Sequence, residues 1–220
     1  MASPRAHPAT TLEDSELISR LFRLAGKNKR LVKSTLHKAP ADPDIMVRSW
    51  KMDEFKYYVV PSPFPTLARG LFTISLKAGT DKEGEASEKD RADEPAEEEG
   101  AESIRHRIVI RGYDKFFNIG EVPWTNWSAL EARTTAPYTL SLKSNGCIIF
   151  IGALTPSKLL VTSKHSLGNT PNDDELSHAK VGDKWLRKYL ADKGKTEEQL
   201  ASVLWENNWT AVAEVSAFRS

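Results

Sequence analysis

Short runs of β-branched and aromatic residues, set apart by turn-forming residues, constrain this chain more than any other feature. They lie at Gly70–Leu76, Ile104–Ile110, Tyr138–Leu142, Cys147–Ala153, Lys158–Thr162 and Trp209–Val215. Runs of this length and composition fit strands and fall short of a stable helix. Asn145-Gly146 separates two of them, and because both residues tolerate positive φ the pair predicts a tight hairpin joining Tyr138–Leu142 to Cys147–Ala153. Helical signals are fewer. Thr10 and Thr11 ahead of Glu13 and Asp14 open a capped helix with Leu17, Ile18, Leu21, Phe22 and Ala25 on one face. Two more follow late, over Asp173–Ala191 and from the Thr196-Glu-Glu-Gln199 box onward. The class is α+β with antiparallel sheets dominating.

Charge is unevenly spread along the 220 residues. The segment 81–102 holds 11 acidic and 3 basic side chains, so the remainder carries 28 Lys and Arg against 19 Asp and Glu, a net of +9. The acidic segment has too few apolar residues to offset the entropy of ordering and reads as a disordered insertion at about 79–103 between two paired strands. The basic remainder suits handling of a polyanion, although the cations Lys27, Lys29, Arg30 and Lys33 read first as solvated surface. One cysteine, Cys147, allows no internal disulfide and no Cys-based zinc site. No apolar run approaches the length of a spanning helix, and no Walker-type loop, His-x-x-x-His pattern or Gly-x-Ser-x-Gly elbow occurs. The expectation is a soluble intracellular protein.

Chemistry concentrates around Lys143, which sits two residues ahead of Asn145-Gly146 and four ahead of an apolar strand. A lysine amine is a nucleophile only when unprotonated, so such a site needs desolvation or neighbouring positive charge. On its own the Lys-x-Asn-Gly string reads first as an ordinary hairpin whose lysine points to water, and Arg69 and Arg111 fit edge-strand charges. Read in order, however, SWKMDEFKYY, PSPFPTLARGLF, IRGYDKFFNIGE, LSLKSNGCIIFIGAL and VTSKHSLG together resemble the adenylyltransferase domain of fungal tRNA ligases. That group includes phage T4 RNA ligase 1 and, more distantly, the covalent nucleotidyltransferases such as DNA ligases and capping enzymes.

The resemblance, spanning about Ser49 to Glu214, implies an RNA/DNA ligase nucleotidyltransferase fold, ATP-grasp-like in type, with flanking helices. It implies Lys143 as the catalytic nucleophile that takes AMP from ATP with Mg²⁺. Arg69 and Lys115 would hold the ATP phosphates with help from Arg111. Asn145 and Gly146 would shape the turn, Lys164 in the Ser163–Ser166 string would frame the nucleotide, and Glu214 would stand near the ribose. No protein ligand for a metal is implied. The partners implied are RNA, as tRNA exon halves, and ATP, in a monomer of the nucleus or cytoplasm. Two regions are expected: a tail and helical segment over 1–48 and a partial ligase domain over 49–220. The chain departs from the family pattern just after Glu214, so the expected domain is incomplete at its C-terminus. That leaves open an inactive RNA- or ATP-binding remnant, or an unstable truncated product.

Overall fold

The computed structural model of the chain describes residues 12–77, 104–168 and 177–216. Two antiparallel sheets pack face to face, with helices on both outer faces. The first sheet has the order β1-β2-β3-β4, formed by β1 (Val32–Ala39), β2 (Asp42–Met52), β3 (Leu71–Lys77) and β4 (Ile104–Arg111). The second has β5 (Cys147–Ala153) in the centre, between β6 (Leu159–Ser163) and β7 (Ala211–Val215). Helix α1 (Leu12–Lys27) covers the first sheet, and α3 (His178–Asp192) and α4 (Glu197–Asn207) cover the second. A short helix α2 (Trp127–Arg133) lies in the connection from β4 to β5. Among the described residues no helix is long and apolar enough to cross a membrane.

Three apolar clusters follow from the alternation of side chains along the strands. Ile18 and Leu21 of α1 meet Val32, Trp50, Met52 and Leu71 on the outer face of the first sheet. Ile45, Val47, Phe72, Ile74 and Val109 face inward against Phe150 and Leu160. Ile149, Ile151, Leu159 and Val161 face outward against Ala201, Leu204 and Trp205. Each fully buried side chain of this size stabilises the fold by about 1.5–3 kcal/mol. The expected apolar face of α1 is the one buried, and α4 begins with the predicted box: Thr196 Oγ1 accepts from Gln199 N–H while Gln199 Oε1 accepts from Thr196 N–H.

Several expectations need correction. Residues 134–146 belong to no strand, and neither Asn145 nor Gly146 has positive φ, so there is no hairpin turn at this position. The reason is competition for one edge. β5 pairs on one side with β6 and on the other with β7, with Cys147 opposite Val215, which leaves no edge for Tyr138–Leu142. Gly146 instead permits the close passage of β7, since a Cβ there would lie 2.4 Å from the Val215 carbonyl oxygen. Residues 47–52 belong to β2, and Glu54–Lys56 forms a single 3-10 turn. Position 48/49 lies inside β2, which with β1 brings residues 32–52 into the first sheet. Trp127 and Trp185 are exposed. The acidic insertion, the Thr10–Thr11 cap and the start of the helix expected from Asp173 lie outside the described residues.

Candidate functional site

Corresponding ends of the two sheets meet. In the first sheet β2 finishes near Met52, β3 begins at Leu71 and β4 ends at Arg111, with Leu71 paired to both Trp50 and Arg111. In the second sheet β5 begins opposite the ends of β7 and β6, with Cys147 against Val215 and Ile149 against Ser163. Ser49 Oγ donates to the His165 carbonyl at 3.2 Å and ties the two ends together. Arg69, Arg111, Lys115, Lys143–Gly146, Lys164 and Glu214 therefore stand at or just beyond strand ends on one end of the sandwich.

Beyond the last regular pair of β3 and β4, the two chains continue as a narrow ribbon. Gly112 N–H donates to Gly70 O at 2.7 Å, Arg69 N–H to Tyr113 O at 2.8 Å and Lys115 N–H to Leu67 O at 3.2 Å. Glycine is required on both sides. Gly70 adopts φ of +89°, and a Cβ at Gly112 would lie 2.0 Å from the Arg69 carbonyl oxygen. The buried ring of Phe150, from the second sheet, fills the space that side chains at either glycine would need. This ribbon fixes where the backbones of Arg69 and Lys115 stand.

A carboxylate that sequence reasoning missed gathers the cations. Glu54, in the turn after β2, is ion-paired with Lys164 and lies 3.7 Å from Arg69 and 4.0 Å from His165 Nε2. Burial opposes its charge, but the hydrogen bond and charge of Lys164, with Arg69 and His165, hold the carboxyl below its ordinary value. Burial, reinforced by Lys164 and Lys51, pushes His165 down to about 4, so its ring is neutral at pH 7. Lys115 is held separately. Its Nζ is 2.8 Å from Glu121 Oε1, which also accepts from Tyr58 Oη at 2.7 Å, and Glu121 Oε2 accepts from Asn118 N–H. These donors, Lys115 first, take Glu121 to about 2. The only sequence signal for either carboxylate was its place in the strings SWKMDEFKYY and IRGYDKFFNIGE.

The other predicted residues divide. Arg111 directs its guanidinium to Asp114 Oδ1 at 2.6 Å, to Thr66 Oγ1 and to the Gly112 carbonyl, so it braces the ribbon. Lys143 lies in the exposed segment before β5, flanked by Leu140 and Leu142 at 96% and 102% exposure. Its Nζ donates to Asn145 Oδ1 at 3.1 Å, and among the described residues its contacts are with its own chain neighbours. Gly146 brings this segment against β7. Ser216 Oγ donates to Asn145 O at 3.3 Å, and a Cβ on Gly146 would stand 3.2 Å from Glu214 Cγ. The structure thus joins Arg69 to Lys164 through Glu54, and Lys143–Gly146 to Glu214 through β7.

Two buried polar atoms here, Arg69 Nε and His165 Nδ1, lack hydrogen-bond partners among the described residues. An unmet guanidinium donor beside a second cation suits a phosphate oxygen. No group of three or more His, Cys, Asp or Glu that could hold a metal ion occurs among the described residues.

Comparison with known proteins places the chain in a family. A family model for T4-type RNA ligases, described as RNA ligase, matches residues 67–218. The chain belongs to the RNA ligase family. It is 43% identical to tRNA ligase 1 of Schizosaccharomyces pombe over 204 residues, covering 86% of this chain and 23% of that protein. It is 35% identical to the tRNA ligase of Candida albicans over 191 residues, covering 80% of this chain and 19% of that protein. The chain therefore spans about a fifth to a quarter of the length of these curated relatives. Arg69, Lys115, Lys143, Lys164 and Glu214 all fall within the region matched to the RNA ligase model, whereas Glu54 precedes it.

Proposed function

We propose that this chain is the nucleotide-accepting part of an ATP-dependent RNA ligase of the tRNA-splicing type, with the fold of the covalent nucleotidyltransferases. The observation that supports the reading is that Glu54 draws Arg69 and Lys164 together, with an unmet donor on Arg69, at the end of the sandwich where the exposed Lys143–Gly146 segment enters β5.

In this reading the neutral Lys143 amine attacks the α-phosphorus of ATP. An N–P bond forms as the P–O bond to pyrophosphate breaks, and the amine proton passes to solvent. Arg69 and Lys164, now held by Glu54, would turn to the phosphates and face the charge that grows on the leaving pyrophosphate. Lys115, fixed by Glu121, would contribute a third cation. Mg²⁺ would arrive on the triphosphate, retaining water and phosphate oxygens as ligands, and supply charge neutralisation there. Glu214 and Asn145 would border the nucleoside. AMP would then pass to an RNA 5′-phosphate and be displaced by an RNA 3′-hydroxyl, joining tRNA exon halves.

The test is incubation of the purified chain with α-³²P-ATP and Mg²⁺, alongside Lys143→Ala and Arg69→Ala. Covalent label on the parent that is stable to alkali and lost in acid, absent from K143A and reduced in R69A, is the expected result; no label on any of them overturns the proposal for this chain. The exposure of Lys143 favours one second reading, nucleotide and RNA binding without turnover, which equilibrium binding of ATP by an unlabelled chain would reveal.

A further inference from the structure

A cleft of about 420 Å³ opens beside Glu54, with Arg30, Lys33, Lys51, Asp53, Phe55 and Lys115 in its lining. Most of it is built from residues ahead of the region matched to the RNA ligase model. We propose that this cleft is a subsite for the sugar–phosphate backbone of single-stranded RNA, with Phe55 as a platform for one base. The choice of RNA rests on the ligase reading above; the phosphate chemistry rests on the cleft itself.

Strand register makes the first argument. Lys33 of β1 lies directly opposite Lys51 of β2. Like charges placed directly across a strand pair are destabilising. Among the described residues, neither lysine nor Arg30 is ion-paired to a carboxylate. The arrangement is one that an incoming anion would stabilise.

Backbone geometry makes the second. Asn28 Oδ1 accepts from the N–H groups of Arg30 and Leu31 at 3.0 and 3.3 Å, and Asp53 N–H donates to Leu31 O at 2.9 Å. The segment that bears Arg30 is thereby fastened to the turn that bears Phe55. Asp53 Oδ1 accepts from Phe55 N–H at 3.1 Å, and the ring of Phe55 is 86% exposed. An aromatic fixed by a rigid turn and offered to solvent beside cations is the composition of a single-strand platform.

Continuity makes the third. Ile45, Val47, Ser49 and Lys51 share one face of β2, and the second sheet covers that face as far as Ser49, which bonds to His165. Lys51 is the next residue along, close enough to His165 to act on its charge. Lys115 lines the cleft and belongs to the phosphate-handling cations, so a strand lying in the cleft leads toward the candidate adenylyl site.

The test measures fluorescence anisotropy of a 5′-labelled single-stranded RNA against salt, with ATP affinity determined in parallel. The variants are Arg30→Ala/Lys33→Ala and Phe55→Ala, all at exposed positions. Two lost phosphate contacts should reduce the slope of log affinity against log salt by about 1.4. F55A should weaken binding roughly fivefold or more with the slope retained. RNA affinity and slope unchanged in R30A/K33A overturn the subsite, as does absence of RNA binding by the parent. Loss of ATP affinity matching the RNA loss assigns the cleft to the nucleotide and also overturns it. Equal capture of poly-glutamate in competition with RNA points to an acidic protein partner and does the same. A chain that forms no lysyl adenylate yet loses RNA affinity on R30A/K33A removes the ligase mechanism and leaves the subsite standing.

Discussion

Gly112→Ala tests the account of how Arg69 and Lys115 are placed. The new Cβ would lie 2.0 Å from the Arg69 carbonyl oxygen and 2.7 Å from two carbons of the Phe150 ring. The carbonyl is backbone and the ring is fully buried between the sheets, so the contact is relieved only by opening the ribbon. Two hydrogen bonds of 2.7 and 2.8 Å would be stretched, at about 0.5–1.5 kcal/mol each. Repacking around the ring adds about 1–3 kcal/mol. For a chain of this size each kcal/mol lowers Tm by roughly 2–4 °C, so the variant should melt at least about 4 °C below the parent. Circular dichroism melts give the shift, and equilibrium dialysis gives ATP affinity, which should fall as Arg69 is displaced. Adding Phe150→Leu relieves the ring contact but not the carbonyl contact, so only part of the loss should return. A melt within about 1 °C of the parent with unchanged ATP affinity refutes the reasoning, and full recovery in the double variant shows that the ring alone sets the constraint.

Other expectations concern charge. His106 and His165 are both pushed down to about 4, chiefly by burial. The unfolded chain therefore takes up protons first as pH falls, and stability declines between about pH 6.5 and 4 and is flat above. Urea unfolding at pH 7 and 5.5 should differ by about 2 kcal/mol, and His106→Gln should halve the difference; an equal difference in the variant contradicts this. Glu54→Gln leaves Lys164 and Arg69 without their shared carboxylate, costing about 1 kcal/mol of stability and raising ATP affinity roughly fivefold. Calorimetry that finds weaker ATP binding instead would show that Glu54 positions these cations rather than competing for them. Glu121→Gln loosens Lys115 and Tyr58 together and should slow lysine labelling roughly tenfold, with far-UV circular dichroism unchanged; an unaltered rate removes Lys115 from the reaction.

Local signals in the sequence were legible where neighbours in the chain decide the structure. The Thr196–Gln199 box starts α4 as expected, Ile18 and Leu21 bury the predicted face of α1, and Cys147–Ala153 is β5 with those bounds. Asn145-Gly146 misled because the partner that decides its conformation, Val215, lies far along the chain. A tight-turn preference of the dipeptide yields to an entire strand occupying the edge of β5. The same holds for the site. The cations Arg69, Lys115 and Lys164 stand out in their strings, but the charge that binds two of them, Glu54, follows β2, outside the runs of conspicuous chemistry. Lys33 and Lys51 are 18 positions apart and become neighbours only through the register of β1 with β2, which alternation of residue types does not specify for exposed positions.

Phe150 has a mechanical consequence. Seated where Gly70 and Gly112 make room for it, the ring acts as a dowel between the layers, and gliding of one sheet across the other would drive it into the backbone of the ribbon. Any rearrangement on ligand binding is thereby expected in the peripheral segments, the 134–146 stretch and the turn after β2, rather than in shear of the sandwich.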